Sequence, residues 1–245
     1  MPAVISKVRP ASNGFDKIAL LRNNPLFREL APAVLEPLGN YMTRRTVRRG
    51  TPIFAKGDPG NGLMAVITGL VKISVPSTDG REVVLNIIQD GDVFGEIALL
   101  DGHPRTADAT AMSDCELLVM ERRDFIPFVR EHPDVAVKFI EVLCARLRRT
   151  SEQVEDVLFL NLPGRLAKAL LRLSQGNGST ATRRKVIITQ REISQIIGTS
   201  RESTNRLLRE WERRKWVLLE RGGIIVLAPD ALAEVAADGQ GSDLT

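Results

Sequence analysis

The chain has 245 residues, 43% of them hydrophobic, and a formal net charge of +4. That length can bury a sizeable core and is enough for two domains. It contains no run of about 18 uncharged apolar residues to span a bilayer, and its first residues lack the charged start and apolar stretch of a secretory signal. The two cysteines, Cys115 and Cys144, are too few for a disulfide framework and read as buried thiols in a reducing compartment, so the expected setting is the cytoplasm. Neither a CxxC pair nor a His/Cys cluster supports a metal centre, and no metal is expected.

The charge is unevenly spread. Residues 161–221 hold fourteen Lys/Arg against five Glu, a local balance of +9 that leaves −5 for the remainder. A basic block beside an acidic one points to a polyanion partner for one domain only.

Residues 1–14 are polar with Pro and Gly and are expected to be loose. Apolar residues at helical spacing follow over 15–42, among them Ile18, Leu21, Leu26, Leu30, Val34 and Leu38. From Thr43 to Met120 short β-prone runs (Met64–Ile67, Val71–Val75, Val83–Ile88, Glu116–Met120) alternate with turn signals such as Gly57-Asp58-Pro59-Gly60, Asp79-Gly80 and Asp90-Gly91. Turns about every ten residues predict an antiparallel barrel or jelly roll.

Within that region lies Phe94-Gly95-Glu96-Ile97-Ala98-Leu99-Leu100-Asp101-Gly102-His103-Pro104-Arg105-Thr106-Ala107. Gly95 lets the backbone approach a ligand closely. The amides of Glu96, Ile97 and Ala98 open a helix and favour an anion. Arg105 can fork onto two phosphate oxygens, Thr106 adds a hydroxyl, and Glu96 can accept from a ribose hydroxyl. Arg105 is the only cation in the segment.

A long helix is predicted over Pro133–Leu160, with Ile140, Leu143, Leu147, Thr150, Val154 and Val157 recurring in steps of three and four. Such a narrow seam suits a parallel partner helix. Thr150 and Ser151 put hydroxyls in or beside the seam, where they forfeit apolar burial unless they gain a partner; a ligand base is the preferred one. A hinge is placed at about Val157–Asn161, with Asn161 capping a helix over 162–174, followed by a Gly/Ser/Thr-rich loop at 175–182.

Thr189-Gln190-Arg191-Glu192 has capping-box spacing and opens a helix to Ile197. Gly198-Thr199-Ser200 makes a turn into a second helix over Arg201–Arg214. Arg201, Glu202, Asn205, Arg206 and Arg209 fall within an arc of about 140°, with Thr204, Leu207, Leu208 and Trp211 opposite. Two β-prone runs, Trp216–Leu219 and Ile224–Leu227, flank Arg221-Gly222-Gly223 and read as a hairpin. Two short helices plus a hairpin make a winged helix-turn-helix.

The segment at Phe94–Ala107 resembles the phosphate-binding cassette of cyclic-nucleotide-binding domains. Arg148-Arg149-Thr150-Ser151-Glu152-Gln153-Val154, Phe159-Leu160-Asn161 and Gly164-Arg165-Leu166-Ala167 resemble the dimerisation helix and hinge of the cyclic-AMP receptor protein (catabolite activator / fumarate-nitrate regulator) family of bacterial transcription factors. Ile193–Arg206 resembles the same family's DNA reader. The resemblance implies an α+β architecture: an N-terminal β-roll (jelly roll) at 1–132, a dimerisation helix at 133–160, and a winged helix-turn-helix at 161–245. It implies cyclic AMP or cyclic GMP as effector, a homodimer, a palindromic double-stranded DNA operator, RNA polymerase as a further partner, and no enzymatic activity. By it, Gly95, Glu96, Ile97, Ala98, Arg105 and Thr106 line the effector site. Glu96 holds the 2′-hydroxyl and Arg105 the cyclic phosphate; Arg146 approaches the phosphate; Thr150 meets the base, and Ser151 meets the other subunit's ligand. Arg201, Glu202 and Arg206 read bases, which agrees with arginine pairing to guanine and glutamate to cytosine. Arg191, Ser200 and Ser203 position phosphates, and Asn205 is placed to read an adenine. Two rivals remain at this level. One is a constitutive DNA-organising dimer with a vestigial pocket. The other is a phosphodiesterase, against which His103 and His132 stand isolated.

Overall fold

The computed structural model describes residues 17–23, 27–77, 82–175 and 184–239. The expected loose start, the Asp79-Gly80 turn and nearly all of the 175–182 loop lie outside the described residues.

The chain begins with two helices, α1 (Lys17–Asn23) and α2 (Pro32–Tyr41). Six strands follow: β1 (Thr43–Val47), β2 (Pro52–Phe54), β3 (Gly62–Thr68), β4 (Val71–Pro76), β5 (Glu82–Ile88) and β6 (Val93–Phe94). A short helix α3 (Glu96–Asp101) precedes β7 (Asp108–Ala111) and β8 (Cys115–Glu121). The strands form two four-stranded sheets, ordered β1-β8-β3-β6 and β2-β7-β4-β5, with every pairing antiparallel. This is the predicted roll. β3, flanked on both sides, buries its first five residues. Edge strand β1 exposes Thr43, Arg44, Arg45 and Thr46, and its charges discourage further strand pairing. Val47, Met64, Val66, Val71, Phe94 and Leu117 form one core between the sheets.

Helix α4 (Arg122–Glu131) was not anticipated. Pro127 and its many charges mask the two residues that matter, Phe125 and Phe128, which pack with α1, α2 and one sheet in a second core. Helix α5 (Pro133–Phe159) spans 27 residues. Val135 and Phe139 anchor it to that second core. Beyond them the seam faces outward: Ile140 is 58% exposed, Leu147 69%, Val154 53% and Val157 57%. Cys115 is buried as expected, but Cys144 is exposed. Its apolar neighbour Val142 packs on the second core, but Cys144 points to another side of the helix, so an apolar run there does not mean burial of every member.

The helix breaks at Leu160, which is extended, and restarts as α6 (Leu162–Gln175). The Gly164 N–H donates to Asn161 Oδ1 at 3.0 Å, the predicted cap. Then come β9 (Arg184–Val186), α7 (Gln190–Ile197), α8 (Arg201–Arg213), β10 (Val217–Glu220), β11 (Gly223–Val226) and α9 (Pro229–Asp238). β9 and α9 were not read from the sequence. β9 adds a third strand to the hairpin, in the order β10-β11-β9. α9 lies on α6, where Gly164 and Gly239 approach so closely that a Cβ on Gly239 would sit 3.0 Å from the Gly164 Cα. A third core of Leu166, Leu170, Ile193, Leu208, Trp211 and Val226 holds this unit together.

Candidate functional site

After β6 the chain turns at Gly95, whose φ of +82° is left-handed, and α3 starts at once. A side chain there is excluded twice. The backbone conformation is unfavourable to L residues, and a Cβ would lie 2.6 Å from Arg105 Nη1. The space that the missing Cβ leaves is filled by the Arg105 guanidinium, where the sequence reading had put a ligand.

Arg105 is 5% exposed. It donates to Gly95 O and Gly62 O, both at 2.7 Å, and stacks 4.3 Å above the Phe54 ring. Its backbone joins the Gly57–Gly60 turn: Arg105 N–H donates to Asp58 O, and Gly57 N–H to Arg105 O, each at 2.8 Å. Burial pulls the guanidinium below its ordinary pKa, while the Glu96 and Asp58 carboxylates act in the opposite sense. The group has more N–H donors than these two bonds use, and its Nε is buried without a partner.

Glu96, at 1% exposure, is the other buried charge. Arg146 reaches it from α5 as an ion pair and also donates to Val93 O. Neither carboxylate oxygen of Glu96 has a hydrogen bond of ordinary geometry. A buried cation and a buried carboxylate, each with polar capacity left over, suit a ligand that carries both an anion and hydroxyls. Cyclic nucleotides have that chemistry, so the donor set fits the implied effector.

Gly95, Glu96, Ile97, Ala98, Arg105, Thr106 and Arg146 line one cavity of about 70 Å³. Ligand pockets generally run upward from about 300 Å³, so this cavity is smaller than a nucleotide requires. Thr150 and Ser151 are not brought into this cavity. Thr150 is exposed and lines a different cavity, and the Ser151 hydroxyl donates to Leu147 O at 3.1 Å. Both lie about one helical turn beyond Arg146.

The run Phe54–Gly60 resembles an early turn of cyclic-nucleotide domains, but the sequence assigns Phe54, Asp58 and Gly62 no place at the site, because Arg105 meets them only across the folded barrel. Two half-buried charges nearby, Asp92 in the turn before β6 and Arg149 on α5, are under the same pressure. Burial raises the Asp92 pKa against the pull of the Gln89 N–H, Arg146 and Arg149, and burial lowers that of Arg149 against Asp92.

In the reader, Thr189 and Glu192 form the predicted capping box. Gly198, φ +67°, makes the left-handed turn. The Ser200 hydroxyl accepts from Ser203 N–H at 3.1 Å and caps α8, while the two hydroxyls meet at 3.0 Å. Thr204, Leu208 and Trp211 are buried; Arg201, Glu202, Arg206 and Arg209 are exposed, as is Arg191 on α7. Asn205 is half-buried, with Oδ1 unpartnered. The exposed face thus carries the fork-shaped donors and the carboxylate that major-groove edges require.

One contact links the two halves directly. α7 packs on β5, and Gln195 Nε2 donates to Glu82 Oε2 at 3.0 Å. Burial works against the Glu82 charge, but hydrogen bonds from Lys72, Ser74 and Gln195 outweigh it and hold the carboxyl below its ordinary pKa.

Comparison with known proteins agrees with this division. Residues 44–132 match the model of the cyclic nucleotide-binding domain, and 164–235 that of the Crp-like helix-turn-helix domain. The chain is 34% identical over 220 residues to a CRP-like cAMP-activated global transcriptional regulator of Mycobacterium tuberculosis, covering 89% of this chain and 98% of that one. It is 34% identical over 217 residues to a cyclic AMP receptor protein of Thermus thermophilus, covering 88% and 98%. The solved Thermus thermophilus catabolite activator protein is 33% identical, with a TM-score of 0.51 over 87% of this chain and 99% of that one. The global regulator CLP of Xanthomonas campestris, described as responsive to c-di-GMP, shares the fold at 22% identity and a TM-score of 0.70, covering 80% and 99%. Among the described residues no group of His, Cys, Asp and Glu forms a metal site, and no helix is long and apolar enough to cross a membrane.

Proposed function

This chain belongs to the CRP/FNR family of transcription factors, a DNA-binding regulator with a cyclic-nucleotide-binding domain, and we propose that it is a homodimer switched by cyclic AMP, with cyclic GMP as the competing effector. The observation that carries the reading is the convergence of Arg105, Glu96 and Arg146 on one cavity, with Arg146 borne by the helix that leads to the reader. Arg105 takes the cyclic phosphate through its unpartnered Nε side. Glu96 takes the ribose 2′-hydroxyl once Arg146 releases it, and Arg146 turns to the phosphate. Gly95, Ile97, Ala98 and Thr106 complete the cradle.

Displacing Arg146 from Glu96 shifts α5 against the barrel. Thr150 and Ser151 then meet the base from one chain and its partner, fixing the register of two paired helices. The exposed seam at Ile140, Leu147, Val154 and Val157 supports that pairing. Through the break at Leu160 the shift sets the spacing of two α8 helices, which enter major grooves about 34–36 Å apart on a palindromic operator. The effector acts only through its different affinity for the two arrangements. Arg201, Glu202, Arg206 and Asn205 read bases; Arg191, Ser200 and Ser203 hold phosphates. The working units are residues 1–132, 133–160 and 161–245, and RNA polymerase is the further partner.

Operator binding with cyclic AMP, cyclic GMP and no nucleotide tests the proposal. Affinity should rise with one of them; equal affinity in all three conditions supports the constitutive dimer instead.

A further inference from the structure

Phe54 stands where a regular strand would not put it. Successive side chains of a strand point to opposite faces, yet Ile53 is buried in the core between the two sheets and Phe54, next to it, packs on the same core. The pairing of β2 with β7 slips between Pro52 and Phe54: Pro52 faces Thr110, but Phe54 faces Ala109 instead of Asp108. Such an irregularity re-aims a side chain. Here it brings the Phe54 ring to the wall of the cassette cavity, tilted by 33° against Phe94 at 5.9 Å and 4.3 Å from the Arg105 guanidinium. Phe94 is itself fully buried and gives the ring a fixed support.

How a buried cation is held decides what charge and which donors it has left. A carboxylate partner would neutralise Arg105 and take its N–H groups in pairs. Arg105 instead gives one N–H each to Gly95 O and Gly62 O, while Glu96 of the cassette is paired with Arg146. An aromatic face attracts a cation through its quadrupole and uses no donor. The ring also shields one face of the guanidinium from water, and the two carbonyls pin its tips, so the plane is fixed. The edge bearing Nε is left without a partner. We propose that Phe54 is a positioning residue for the effector: by holding Arg105 from its face, it fixes the guanidinium plane and leaves the charge and the Nε edge for the cyclic phosphate. The inference rests on the reading of the cassette as a cyclic-nucleotide site. Leucine at position 54 would supply an apolar wall but no quadrupole, so the two roles can be separated.

Two measurements on the full-length chain test it. In the isotope-labelled, nucleotide-free protein, the Arg105 Nε–H resonance, assigned by its loss in Arg105→Lys, should be shifted upfield by the ring and exchange slowly with water. Phe54→Leu should remove the shift and speed the exchange; Phe54→Tyr should keep both. Calorimetric titration with cyclic AMP should show binding weakened about tenfold in Phe54→Leu, the factor that 1.4 kcal/mol supplies. Phe54→Tyr should stay within about threefold of the parent. Circular dichroism of each variant guards against misfolding. An unchanged Arg105 resonance in Phe54→Leu overturns the proposal whether or not the nucleotide affinity falls, because a loss of affinity alone would mean that the ring touches the ligand directly. Parental affinity in Phe54→Leu, or an equal loss in Phe54→Tyr, overturns it as well. A parent that binds neither cyclic AMP nor cyclic GMP, with the resonance responding as expected, refutes the cyclic-nucleotide reading and still supports the seating of Arg105 by Phe54.

Discussion

Arg105→Leu is the sharpest perturbation, because the side chain serves the barrel as well as the ligand. Its guanidinium ties Gly95 O, at the mouth of α3, to Gly62 O, at the start of β3. A hydrogen bond to a charged group is worth about 1.5–3 kcal/mol net. Leucine leaves both carbonyls short of a donor but relieves the desolvation of a buried cation, so the net cost comes to about 2 kcal/mol. In a chain of this size each kcal/mol moves Tm by about 2–4 °C, giving a fall of about 4–8 °C. Nucleotide binding loses a bidentate charged contact at the same time, about 3 kcal/mol or roughly a hundredfold in Kd. Both tryptophans, Trp211 and Trp216, lie in the reader, so fluorescence follows that half while calorimetry follows the whole. The expected result is a calorimetric transition displaced downward, a fluorescence transition that stays in place, and no measurable response to cyclic AMP. A variant with an unmoved calorimetric transition and cyclic AMP affinity within about threefold of the parent refutes both assignments.

Gly95→Ala should cost about 1–3 kcal/mol from the left-handed backbone alone and push Arg105 from its carbonyls, so thermal melting and cyclic AMP titration should fail together; normal values in both refute the double constraint. Glu202→Ala should relax base preference at one position per half-site in a selection experiment. Arg191→Ala should weaken all sequences alike and reduce the salt slope by about one. Leu147→Glu puts a carboxylate on the exposed seam; sedimentation should find a folded monomer, and a dimer of parental strength would show that the seam is not the interface. Against the effect of burial, the pKa of Glu82 is lowered chiefly by Lys72 and Ser74 within the barrel and least by Gln195 of the reader, so above the ordinary carboxylate range its bonds stabilise the β4–β5 pair and, through Gln195 alone, the docked reader. That contribution is lost as pH falls through the lowered value. Small-angle scattering should detect an expansion at acid pH that Glu82→Ala lacks; the same expansion in the variant would clear Glu82 of the role.

What the sequence by itself determined was whatever depends on neighbours along the chain. The capping box at Thr189 and Glu192, the turn at Gly198, the two faces of α8 and the seam of α5 follow from spacing, because helix geometry fixes which side chains share a face. The cassette was legible for the same reason, its glycine, carboxylate and arginine lying within one short segment. Where charge clustered, composition alone separated the basic reader from the rest.

Tertiary structure decided the rest, because it concerns residues that meet only after folding. No local pattern tells that Arg105 would rest on Phe54 and Gly62, that Arg146 would take Glu96, or that Gln195 would reach Glu82. Cys144 looks buried because its neighbours are apolar, yet burial depends on what covers a helix face, and none of the described residues covers that one. Helices α4 and α9 went unread because each owes its place to a few side chains packed on remote partners. Hydrophobic periodicity reports which face is apolar; only the folded chain sets what that face meets.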